Sequence, residues 1–147
     1  MNRFSSLMAL LCLCIAVPTA FAQRNSRRAA PPSQTTVCFK AHSGKHFLVA
    51  EHDKRTVNAN RTKCGPWETF VIEDINGAPL RNGDTIYIRT HHGRWLGAQP
   101  NGKLLGKATR KGPWERFRIE GVERRNQVRM GGRIALKGAH GKYVVAE

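Results

Sequence analysis

The sequence predicts an all-β protein, and three observations carry that expectation. Apolar residues alternate with polar ones over short runs, and no stretch shows a sustained apolar stripe at helical spacing. Glycine- and asparagine-bearing turns punctuate those runs. One phrase is also written twice: GPWETFVIE (65–73) returns as GPWERFRIE (112–120), 47 residues later, with seven of nine positions identical.

Residues 1–22 read as a secretory signal. MNRFSS carries one cation, LMALLCLCIAV is apolar, and PTAFA ends in small residues, which places cleavage after Ala22. The apolar run is shorter than the roughly 20 residues that a membrane span requires. Bulky Leu11 and Leu13 precede Cys12 and Cys14, which argues against a lipid anchor there. Residues 23–36, QRNSRRAAPPSQTT, are basic, polar and broken by Pro31 and Pro32, and are expected to form a disordered leader. The folded domain is then 37–147.

Within it the chain divides into units 37–85, 86–133 and an incomplete 134–147. Each opens with a strand, a glycine turn and a second strand: VCFKAHSGKHFLVAE, IYIRTHHGRWLGAQ and IALKGAHGKYVVAE. Counting back from Gly44, Gly93 and Gly141, apolar residues recur at Val37, Ile86 and Ile134 and at Phe39, Ile88 and Leu136. An aromatic leads each second strand: Phe47, Trp95, Tyr143. Third strands are expected at 56–61 and 103–108, entered through the polar turns EHDKR and PNG. Fourth strands follow in WETFVIE and WERFRIE. There Trp67, Phe70 and Ile72 answer Trp114, Phe117 and Ile119 and are expected in the core; the alternative has both tryptophans stacking on sugar rings.

A four-strand unit recurring every 47–49 residues, with an aromatic in its closing segment, is the sequence form of a β-trefoil. The phrases SGKHFLVAE, HHGRWLGAQ and AHGKYVVAE, with both GPWE segments, resemble fascin-like domains over nearly all of 37–147. The resemblance implies a fascin-like trefoil of about two and a half repeats, and actin-filament binding or bundling as an activity. The third unit ends at Glu147, which matches Glu51, so ten strands are expected where a complete trefoil has twelve. An open edge of that kind favours pairing with another chain; truncation, drift and completion by self-association all remain open from the sequence.

Cys38 and Cys64 remain once the signal is removed, in an oxidising compartment. Bridging needs Cα atoms within about 7 Å. With Cys38 near the start of its strand, antiparallel pairing of first and fourth strands sets the two apart, so bridged and free forms stand as equal alternatives. No catalytic constellation emerges, and no enzyme is expected: Glu68 and Glu115, like Glu73 and Glu120, are repeat positions rather than an acid–base pair. His42, His46, His91, His92 and His140 stand in or beside the glycine turns and His52 in the EHDKR turn. They read as exposed turn residues, with no metal or other cofactor expected. SGKH lacks the second glycine of a phosphate-cradling loop.

Charge is the strongest functional signal. The chain has 25 Lys and Arg against 10 Asp and Glu, and the signal removes only Arg3. Such a field attracts polyanions. Candidate ligand-binding residues are Lys40, Arg89 and Lys137 in the first strands, and Lys45, Arg94 and Lys142 after the glycine turns. Arg124, Arg125, Arg129 and Arg133 join them from an unpaired basic loop, 122–133. The leading expectation is a secreted, non-enzymatic module for acidic polysaccharide or another polyanion. The alternatives are actin binding and inhibition of an extracellular hydrolase.

Overall fold

The computed structural model describes residues 32–121 and 126–145, and they form an antiparallel all-β structure. The strands are β1 Ser33–Cys38, β2 Phe47–Ala50, β3 Val57–Arg61, β4 Thr69–Asp74, β5 Thr85–Thr90, β6 Trp95–Ala98, β7 Leu104–Ala108, β8 Phe117–Glu120 and β9 Ala135–Gly138. Two single 3₁₀ turns, Pro66–Glu68 and Pro113–Glu115, are the helical structure among the described residues.

The pairings trace one path, β1–β4–β5–β8–β9, on which β5 also carries β6. Hairpin β6–β7 continues that sheet from β5, hairpin β2–β3 forms a separate two-stranded sheet, and the two hairpins meet at a Thr56–Leu105 bridge. The repeat written in the sequence is repeated in the backbone. Gly44, Gly93 and Gly141 have φ of +70°, +74° and +75°, the left-handed region where a Cβ is unfavourable. Their N–H groups donate to Ala41, Thr90 and Gly138 carbonyls at 2.8, 2.9 and 2.9 Å.

Alternation places the core where the pattern puts it. Phe70, Ile86, Ile88, Phe117 and Ile119 are 0–1 % exposed, and Leu48, Ile72, Leu96 and Leu136 join them. Val37, Phe39 and Ile134 pack against this cluster, with Phe39 and Phe70 ring centroids 5.7 Å apart. At about 25 cal/mol per Å² of apolar surface, these large side chains supply the main driving force for folding.

Four expectations are corrected. β1 begins at Ser33, so residues 33–36 belong to a strand rather than to the leader. β-branched Thr35, Thr36 and Val37 suit a pleated strand, and β4 offers them a partner edge from Phe70 to Ile72. Because β1 starts earlier, Cys38 is its last residue, opposite Thr69 at the start of β4. That brings Cys38 and Cys64 to a Cα separation of 6.2 Å, and they form a disulfide. The basic loop is not wholly unpaired: Val128 N–H donates to Leu80 O at 2.8 Å, Asn82 N–H donates to Asn126 O at 3.0 Å, and Arg81 bridges Gln127.

The fourth correction concerns the duplicated phrase. Trp67 and Trp114 are not core residues; they are 37 % and 43 % exposed. The 3₁₀ turn points the glutamate inward and the tryptophan outward. Glu68 is buried and its Oε2 accepts the Gly65 N–H at 2.8 Å. A Cβ at Gly65 would stand 2.9 Å from that oxygen, and one at Gly112 would stand 2.8 Å from Glu115 Oε2. GPWE is therefore scaffold through its glycine and its buried glutamate, hydrogen-bonded in the first copy and closely packed in the second, not through its tryptophan.

Candidate functional site

The cations that recur in the first strands are packed on aromatic rings. Lys40 Nζ lies 5.3 Å from the Phe47 ring centroid, Arg89 Cζ 5.9 Å from Trp95, and Lys137 Nζ 5.4 Å from Tyr143. Each pair faces across its hairpin. Such contacts contribute about 0.5–1 kcal/mol at exposed sites, so these three residues clamp their own turns. Lys137 also stands 3.7 Å from Glu120, whose Oε2 accepts the Tyr143 phenol at 2.6 Å. That phenolic bond holds the Glu120 carboxyl below its usual range and raises the Tyr143 hydroxyl above its own. Lys111 is likewise engaged, ion-paired with Glu73 and lying over the Trp95 and Tyr87 rings at 4.8 and 5.1 Å.

Among the other sequence candidates, Lys45 is exposed on the first glycine turn, and Arg129 and Arg133 are exposed in the last loop. Lys142 donates to the Pro100 carbonyl at 3.2 Å. Arg124 and Arg125 lie outside the described residues. Arg94 is the candidate that the fold brings into a group. With Lys54, Arg55 and Lys107 it lines an open hollow of about 460 Å³, with Asp53 on the wall.

Backbone geometry builds this hollow. Asp53 Oδ1 accepts the N–H groups of Arg55 and Thr56 at 2.9 and 2.8 Å, and its Oδ2 accepts the Thr56 hydroxyl. Those bonds, the hydroxyl first, hold the Asp53 carboxyl below its ordinary range, so it stays ionised as the clasp of the turn. Lys54 occupies the left-handed position at φ +55°. The Arg55 carbonyl then accepts the Gly106 N–H at 2.8 Å, which sets Arg55 beside Lys107 on β7. Arg94 arrives from the second glycine turn, its carbonyl accepting the Thr90 N–H at 2.7 Å. Among the described residues, no ion pair joins any of these four cations to a carboxylate.

Sequence reasoning named Arg94 and missed its companions. Lys54 and Arg55 stand in EHDKR, which reads as a hairpin turn and nothing more. Lys107 stands in a basic run, KATRK, whose Lys111 is engaged by Glu73 instead. Their convergence depends on the β3–β7 contact, which spans about fifty residues of sequence.

The same two turns that supply Asp53 to Arg55 and Arg94 also carry an aromatic ledge. The Trp67 ring lies 5.9 Å from both the His52 and the His92 rings, and His91 meets His92 edge to face at 5.5 Å. A second ledge pairs Trp114 with His140 at 5.8 Å. The Trp67–His92 and Trp114–His140 pairs share the same interplanar angle, 56°, so each duplicated tryptophan leans on a histidine of the next unit's glycine turn. The expected scatter of turn histidines is thus partly gathered around Trp67. Among the described residues, no group of three or more His, Cys, Asp or Glu is placed to hold a metal ion.

A cavity of about 240 Å³ separates β2–β3, β6–β7 and the last turn, with Leu48, Val57, Leu104 and Val144 on its walls and Lys103 and Lys142 at its rim. It is smaller than the roughly 300 Å³ at which small-molecule pockets begin. No helix among the described residues is long and apolar enough to cross a membrane. No protein-family model matches the chain, and no curated protein matches it.

Proposed function

We propose that this protein is an exported, non-enzymatic binding module for acidic glycans or other polyanions, carried on a β-trefoil of fascin-like type. The observation that carries the reading is the hollow: Lys54, Arg55, Arg94 and Lys107 converge from three separate segments and outnumber the one carboxylate on its wall, Asp53, which is tied to its own turn and makes no salt bridge to them among the described residues. Gathering like charges is unfavourable, and an anionic ligand relieves it. The +15 formal charge of the chain extends the attraction beyond the site. The Cys38–Cys64 disulfide supports export, since such bonds persist in oxidising compartments. The strand path with two hairpins and three equivalent glycine turns supports the trefoil frame. Binding rather than catalysis suits the buried carboxylates Glu68 and Glu73, which are held by Gly65 N–H and Lys111.

The test is titration of the protein, freed of residues 1–22, with a sulfated oligosaccharide at several salt concentrations. Neutralising about four anionic groups releases about three counterions and gives a log–log slope near −3. Arg55→Glu with Lys107→Glu is expected to weaken binding at least tenfold. Absence of binding at low salt, or an unchanged affinity in that double variant, overturns the reading.

A further inference from the structure

We propose that the basic hollow and the Trp67 ledge are two subsites of one site, which takes an acidic sugar chain with its sulfate or carboxylate groups in the hollow and the face of an adjoining ring on Trp67. The inference rests on the polyanion reading and narrows it to glycans.

Two turns link the subsites. The turn after β2 places His52 against Trp67 and its next residues, Asp53 to Arg55, around the hollow. The turn after β5 places His92 against Trp67 and, two residues on, Arg94 in the hollow. Consecutive Cα atoms are about 3.8 Å apart, so ledge and hollow are separated by one or two residues on each side. A ligand long enough to fill one reaches the other.

The ledge has the chemistry of a sugar site. Trp67 is the large aromatic of a turn whose backbone is held by Glu68, so its exposure is built into the frame. An indole face takes the apolar face of a pyranose, while flanking imidazoles offer donors and acceptors to ring hydroxyls. His92 uses Nε2 on the Ala50 carbonyl at 3.1 Å, leaving Nδ1; His52 makes no hydrogen bond among the described residues. A bare phosphate chain has nothing to place on the indole. A single-stranded nucleic acid has bases for it, but its evenly spaced charges call for a basic track, whereas the cations here are gathered at one point.

The second ledge supplies the comparison. Trp114 leans on His140 with the same angle, yet the turn corresponding to EHDKR is there QPNGK, and the cations beside it among the described residues are Lys103 and Lys142, the latter already bonded to the Pro100 carbonyl, where the first ledge has four. The fuller cation set therefore stands with the first tryptophan, although the two phrases are nearly identical.

The experiment measures affinity for a sulfated octasaccharide, inorganic polyphosphate and a single-stranded DNA oligonucleotide at one salt concentration. It compares the wild type with Trp67→Ala, His52→Ala and Trp114→Ala. Expected is a fall of about tenfold in the selectivity of Trp67→Ala for the octasaccharide over polyphosphate. A smaller fall is expected in His52→Ala and a change under twofold in Trp114→Ala. His52 lies on an exposed turn, so it reads the ledge even if Trp67→Ala does not fold. Equal losses for both ligands, or none, overturn the two-subsite proposal while leaving polyanion binding standing. Tighter, Trp67-dependent binding of the DNA overturns the glycan assignment. Failure of the wild type to bind any of the three overturns the polyanion reading itself.

Discussion

Removing the Glu68 carboxylate tests why a nine-residue phrase is written twice. Glu68 is buried at 7 % exposure, and its Oε2 accepts the Gly65 N–H at 2.8 Å. A hydrogen bond to a charged acceptor contributes about 1.5–3 kcal/mol. Arg61 Nε, 3.8 Å from Oε1, adds only a few tenths, because the Arg61 side chain is 41 % exposed and water screens the pair. Glu68→Ala is therefore expected to cost about 2–3 kcal/mol, or about 10 °C in Tm for a domain of this size. Glu68→Gln keeps an acceptor oxygen and is expected to lose about half as much. Gly65→Ala attacks the same bond from the other side, since its Cβ would stand 2.9 Å from Oε2. If the contact is the reason for the phrase, the double variant Gly65→Ala/Glu68→Ala loses at least about 1 kcal/mol less than the sum of the singles. Urea unfolding with the disulfide intact gives all four values. Additivity within about 0.5 kcal/mol, or a Glu68→Ala cost below that, refutes the argument and returns the phrase to its tryptophan.

Three further outcomes follow from the packing. Gly138→Ala would place a Cβ 2.7 Å from the Ala98 Cβ, so overpacking of about 1–3 kcal/mol is expected; the compensating Ala98→Gly recovers most of it, and no recovery refutes the contact. Opening the Cys38–Cys64 bridge, which spans 26 residues, is expected to cost about 3.5 kcal/mol by chain entropy, seen as a lower urea midpoint for Cys38→Ser. Asp74 is 1 % exposed, its Oδ1 accepts the Asn76 N–H at 2.8 Å, and its Oδ2 has no partner among the described residues. Burial, with Asp84 nearby, raises its carboxyl above the ordinary value of 3.8. The native state thus holds a proton more firmly than the unfolded chain, and stability falls as pH rises from about 3.8 through the raised value and stays lowered at neutral pH. Asp74→Asn is expected to flatten that limb and stabilise the protein at pH 7; a variant equally weakened at pH 4 and pH 7 refutes this.

The strands were legible wherever one face is buried. Phe70 and Ile72, Ile86 and Ile88, Phe117 and Ile119 alternate because a pleated strand turns every second side chain inward, and that period survives in the letters. The glycine turns were legible because a left-handed φ excludes most other residues. Trp67 and Trp114 misled because size suggests burial, whereas a buried carboxylate hydrogen-bonded to its own turn is not readable from composition. The start of β1 was missed because Pro31 and Pro32 made the segment look unstructured, although Thr35 and Thr36 needed only a neighbouring strand to pair with.

The candidate site divides along the same line. Sequence alone determined the all-β class, the repeat, the turns that give the molecule its equivalent corners and the excess of cations, because each is a local or periodic property. Tertiary structure decided what the cations do. Lys40, Arg89 and Lys137 look like ligand groups in the sequence, but each has an aromatic directly across its hairpin and is held there. Lys54, Arg55, Arg94 and Lys107 share no motif and come together because β3 meets β7 and a glycine turn folds beside them. Charge is carried by single residues, but a binding site is a distance between residues far apart in the chain, and only the closed fold sets that distance.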